Sequence, residues 1–202
     1  MRNRLLTLVS ALLAVAALPA QGKVFLTTAE ALKLAFPKCK VERLTRVLDD
    51  KLKQQVQKLS GHKATRSMVY AYQAKKDGKI VGTAYFDRHR VRSKQELLMI
   101  VIAPDCKVKR IEIISFGEPV DYLPRGSFYG QLYGRGLRDN LSTKGEINGV
   151  VGCTLTVNAT IAAVKRILAK HQLVFPKQFA MAKKLADKKK SKPKPKPKIT
   201  TS

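Results

Sequence analysis

Four β-branched or aromatic runs separated by short turn signals constrain this chain most: Ser67–Ala74, Ile80–Phe86, Leu97–Ala103 and Val108–Ser115. Residues of this kind fit a pleated, half-buried surface. Asp77-Gly78 between the first two runs is a hairpin turn, because both positions tolerate positive φ. Pro104-Asp105-Cys106-Lys107 makes the turn between the last two. Successive strands joined this tightly pair antiparallel, and helices elsewhere in the chain can cover the sheet. The expected class is α+β, a single domain with an antiparallel sheet and helices packed on one face.

Helical signals flank the strands. Thr27-Thr28 caps a run through Phe36 that Pro37 stops. Leu48, Leu52, Val56 and Leu59 follow at helical spacing up to Ser60-Gly61, so residues 23–66 read as an N-terminal helical segment. A short helix is expected over Ser127–Arg135, its aromatics either packing on the sheet or flanking a ligand ring. Asn158–Gln172 closes the domain, with Ile161, Val164, Ile167 and Leu168 on one face.

The first 22 residues carry a charged start (Arg2, Arg4), an apolar run from Leu5 to Leu18 and a small-residue Ala20-Gln21-Gly22 site, the pattern of a cleaved export signal. A cut after Gly22 fits best, with Ala20 as the alternative. A permanent anchor wants about 20 apolar residues. Export places the protein in the periplasm or associated with the cell envelope.

The net charge is +26. A balance this basic favours polyanions such as anionic membrane, cell-surface polymers or an acidic partner. An exported chain rarely meets nucleic acid, so no nucleic-acid partner is expected. Residues 183–202 are a Lys/Pro-rich basic tail expected to be extended and disordered, either a solubilising tail or an electrostatic tether. Asp87–Lys94 is read as a basic solvated loop, or as a source of arginines (Arg88, Arg90, Arg92) for a phosphate or an acidic partner.

Cys39, Cys106 and Cys153 leave room for at most one disulfide, and Cys39 with Cys106 is the candidate pair. The sequence has no Cys-Xaa-Xaa-Cys and no zinc spacing. His62, His89 and His171 are scattered and read as surface or packing residues. No nucleophile–histidine pairing supports hydrolysis.

One stretch has the makings of a phosphate site: Asn148-Gly149-Val150-Val151-Gly152-Cys153-Thr154-Leu155-Thr156, just ahead of the closing helix. Glycines let backbone approach a ligand, and free N–H groups at a helix start attract an anion. A simple helix cap has the same look. A second segment lies upstream: Glu118-Pro119, then Tyr122-Leu123-Pro124 and an aromatic-rich stretch.

With both segments in this order, residues 80 to 160 resemble the FMN-binding domain of the Rnf complex G subunit and the sodium-translocating NADH:quinone reductase C subunit, in its stand-alone exported variant. The family motif is Asp-Xaa-Xaa-Ser-Gly-Ala-Thr-Xaa-Thr, whose first threonine takes FMN through a phosphoester from a dedicated flavin transferase. Here Asn148, Val151 and Cys153 replace the Asp, Ser and Ala, while Gly152, Thr154 and Thr156 keep the pattern.

The resemblance implies an FMN-binding domain over residues 67–175 with FMN on Thr154. Gly152, Cys153, Leu155, Thr156, Glu118 and Tyr122 would form the cofactor site. It also implies an electron-transfer flavoprotein rather than a substrate-converting enzyme, partnered with a flavin transferase and a membrane redox complex or quinone reductase module. The altered motif and the basic tail motivate an alternative, a flavin-free surface-binding protein that keeps the fold and binds polyanions.

Overall fold

The computed structural model describes residues 22–64 and 66–190. The export signal (residues 1–21 of it) and the Lys/Pro stretch from residue 191 lie outside the described residues.

In chain order the elements are β1 (Lys23–Val24), α1 (Thr28–Ala35), β2 (Lys40–Val47), α2 (Asp50–Ser60), β3 (Met68–Lys76), β4 (Lys79–Arg90), β5 (Gln95–Ile102) and β6 (Val108–Phe116). A 3₁₀ turn (Val120–Tyr122), α3 (Gly126–Gly130), α4 (Thr154–Val174) and α5 (Pro176–Lys190) follow. The strands form one six-stranded antiparallel sheet in the order β1-β6-β5-β4-β3-β2. The fold is α+β, as the strand runs and tight turns predict. At the β3–β4 turn, Asp77 (φ 49°) and Gly78 (φ 72°) both adopt positive φ, the geometry an Asp-Gly hairpin favours.

Side chains alternate across the sheet. On β5, Leu98, Ile100 and Ile102 join the larger core, beneath Val157, Ile161, Val164, Ile167 and Leu168 of α4 and Val56 of α2. Met99 and Val101 point the other way, into a smaller core with Ala31 of α1 and Phe36 just after it. The main helical layer therefore covers one face, and α1 covers part of the other. Thr27 caps α1 in a capping box: its hydroxyl accepts from the Glu30 N–H at 3.2 Å, and its own N–H donates to the Glu30 carboxylate at 2.7 Å.

Three expectations are corrected. The segment 23–66 is not all helical: β1 and the eight-residue β2 belong to the sheet, β2 pairing with β3 from Lys40↔Lys75 to Val47↔Met68. As an edge strand it is mostly exposed and charged, which masks the alternation a strand would show and protects an open edge. The basic segment 87–94 is not wholly loop, since β4 runs on to Arg90 and pairs with β5. The tail expected from residue 183 begins instead within helix α5, which runs to Lys190, its alanines and lysines favouring helix.

Candidate functional site

The 3₁₀ turn and the start of α4 meet at a cavity of about 220 Å³ lined by Val91, Arg92, Glu118, Tyr122, Gly152, Cys153, Thr154, Leu155 and Thr156. Two segments more than 30 residues apart are tied together here. The Thr156 hydroxyl donates to the Tyr122 carbonyl at 2.6 Å, and the Cys153 thiol to the Asp121 carbonyl at 3.6 Å. Both side chains are buried, so Thr156 acts as a brace and Cys153 as a small packed residue.

Thr154 differs from both. It is the first residue of α4, exposed, and its hydroxyl has no hydrogen-bond partner among the described residues. Cys153 is the N-cap and supplies no side-chain cap, so the leading N–H groups of a 21-residue helix open onto the cavity uncapped. An anion there meets free donors and the positive end of the helix dipole. The helix therefore begins ahead of Asn158, and Thr154 and Thr156 lie inside its first turn rather than before it.

Gly152 turns the chain into α4 at φ +80°, a conformation costly for other residues, with open space where a Cβ would stand. Gly152→Ala is expected to cost about 1 kcal/mol through backbone strain alone. Urea unfolding checks this, and an unchanged midpoint would show that the turn relaxes freely.

Glu118 is 6% exposed. It accepts from the Lys94 N–H at 2.5 Å, the Ser93 N–H at 2.6 Å and the Ser93 hydroxyl at 3.2 Å. The Lys94 N–H leads these donors in holding the carboxyl below the ordinary range, against its burial. It thereby fixes the β4–β5 loop that carries Arg92 to the cavity. Two of the lining residues, Tyr122 and Leu155, are apolar and exposed, and so are Val120 and Val151, their near neighbours in the chain.

Every residue expected at the cofactor site, Thr154, Gly152, Cys153, Leu155, Thr156, Glu118 and Tyr122, lines this one cavity. Asn148 does not; its backbone is pinned instead by the Gln131 side chain at 2.7 and 3.2 Å. Phe128 and Tyr129 are buried in the core rather than flanking the cavity. Of the three arginines, Arg92 reaches the cavity, while Arg88 and Arg90 line a separate cleft. Cys39, Cys106 and Cys153 are all free thiols, so the candidate Cys39–Cys106 pair is not bonded.

The sequence reading missed a buried polar cluster. His89 bridges Asp87 through Nδ1 and Glu96 through Nε2, each at 3.0 Å, and Arg166 of α4 donates to Asp87 at 2.8 Å. The signal was period-2 placement of Asp87 and His89 on one face of β4, with Glu96 directly across the ladder from His89. No group of His, Cys, Asp and Glu suited to a metal occurs among the described residues.

Comparison of the chain with protein-family models, curated proteins and solved structures finds no match. The family resemblance accordingly rests on the residues of the two segments. No helix among the described residues is long and apolar enough to cross a membrane.

Proposed function

We propose that this protein is an exported FMN-binding protein that carries FMN covalently on Thr154 through a phosphoester and serves in electron transfer. The observation that carries the reading is the exposed, uncommitted Thr154 hydroxyl at an uncapped helix start, within one cavity that also holds Glu118 and Tyr122. Exposure admits a flavin transferase, and the leading N–H groups of α4 would hold the phosphate charge. Arg92 adds a cation to the same wall, and the exposed Tyr122 and Leu155 suit a ring system. A cavity of this size takes a phosphate and the adjoining chain, leaving a ring against these two side chains. When bound, FMN supplies the redox chemistry, while this chain sets orientation and environment.

The partners this reading implies are a flavin transferase and a membrane redox complex or quinone reductase module, at the periplasm or cell envelope. A cut after Gly22 would leave Lys23 at the new terminus with its pairing to Phe116 intact, which is compatible with export. The alternative, a flavin-free protein binding polyanions, draws support from Asn148, Val151 and Cys153 in the motif and from the +26 charge.

Intact mass of the mature protein, produced in an exporting host with a flavin transferase, separates the two. A gain of one FMN less one water that survives denaturation supports the flavoprotein. An unmodified mass, with the transferase active on another target, overturns it in favour of the polyanion binder.

A further inference from the structure

Some distance along α4 from Thr154, the sheet itself opens. β3 and β4 pair from Lys76↔Lys79 only as far as Ala71↔Tyr85, yet β3 extends back to Met68 and β4 forward to Arg90. Beyond Tyr85 the two strands part, each held by its other neighbour. The parting forms a cleft of about 820 Å³, in the range of small-molecule sites.

Its walls combine cations with aromatic rings. Arg166 and Lys170 line it from the α4 face, with Arg66 also in its lining, while Tyr70 and Phe86 line it from the opposite face of the sheet. Asp87 is already satisfied by His89 and Arg166. Lys170 is therefore surplus: it is 9% exposed, and its ammonium has no hydrogen bond or ion pair among the described residues. Burial pulls its pKa down, and Arg166 and Arg66 push the same way, partly offset by Asp87. An ammonium buried there, with only the already-paired Asp87 carboxylate to attract it, gains from the arrival of an anion.

We propose that the cleft between the parted ends of β3 and β4 binds a phosphate ester, its phosphate on Lys170, Arg166 and Arg66 and its remainder reaching between the strands toward Tyr70 and Phe86 on the opposite face of the sheet. Twelve residues separate Thr154 from Arg166 on α4, about 18 Å at helical rise, so this site is distinct from the cavity at Thr154. The phosphate ester is either that of a soluble nucleotide or that of a lipid headgroup.

Full-length protein is titrated in about 0.15 M salt with ADP in one arm and with phosphatidic acid vesicles in phosphatidylcholine in the other. Lys170→Met is compared with Lys79→Met, which removes one charge from an exposed site at the far end of the same hairpin. The expected result is saturable binding in one arm, weakened about tenfold or more by Lys170→Met and less than about twofold by Lys79→Met. The arm that responds identifies the source. No saturable binding in either arm, or equal weakening by both variants, overturns the proposal, the latter because net charge alone would explain it. Without ligand, Lys170→Met is expected to melt at the same temperature or higher. A fall of several degrees would make Lys170 a counter-ion of Asp87 and likewise overturn it.

Discussion

Thr154→Val is expected to abolish covalent flavin completely while leaving the fold intact. Valine matches threonine in shape and branching, so the first turn of α4 keeps its side chain but loses the one exposed hydroxyl oxygen. A phosphoester needs that oxygen, and no rearrangement of the neighbouring residues replaces it. The stability cost at this exposed position should stay within about 0.5 kcal/mol. Thr156→Val supplies the contrast. Its hydroxyl is buried and donates to the Tyr122 carbonyl at 2.6 Å. Removing it leaves a carbonyl unpaired at a cost of about 1–3 kcal/mol, with flavin still attached at Thr154. Intact mass and thermal melting of the two variants should therefore move in opposite patterns. Flavin retained on denatured Thr154→Val protein would sink the assignment.

The comparison of Thr154 with Thr156 also shows what sequence alone could reach. The motif places both hydroxyls near a helix start, but not which one faces solvent; helical geometry and the packing of the 3₁₀ turn decide that. Asp77-Gly78 was legible because two adjacent residues tolerant of positive φ specify one turn. β2 was not, because its edge position leaves only Val41 and Leu44 packed against the cores among its apolar residues, too few to betray a period of two. The Arg166 arm of the His89 cluster and the cleft stayed hidden for a different reason. Both depend on α4 crossing the far ends of β3 and β4, a long-range contact that makes Arg166 a partner of Asp87 79 residues away. Local spacing carries no trace of it.

Stability is expected to peak near pH 6.5 and to fall on both sides, because two buried histidines are shifted in opposite directions. Burial opposes protonation of His89, but hydrogen bonds to Asp87 and Glu96 win and raise its pKa to about 9. The native state thus keeps a proton that the unfolded chain releases above about 6.5. This contribution is complete below that value and is lost as pH rises through 9, on the order of 3 kcal/mol in all. His171 is the reverse. It is 1% exposed, its Nδ1 lies 2.7 Å from the Tyr85 hydroxyl, and its Nε2 has no partner. Burial alone lowers its pKa to about 4. The unfolded chain takes up the proton first as pH falls below about 6.5. A stabilisation of similar order, complete above that value, is therefore lost as pH falls through 4. His62, also lowered by burial, adds to the acid limb with the same sign. Asp87, which burial would raise but His89 and Arg166 hold at about 2, steepens the limb only below its ordinary 3.8. Urea unfolding at about pH 4.5, 6.5 and 8.5 measures the profile, and two variants assign its limbs. His89→Leu strands Glu96, whose second carboxylate oxygen is already unpaired, so stability should drop by about 3–5 kcal/mol at pH 6.5 and the alkaline limb should flatten. His171→Phe should flatten the acid limb instead. An alkaline limb that survives His89→Leu unchanged would place its origin elsewhere, and the cluster would then be a static brace rather than a titrating one.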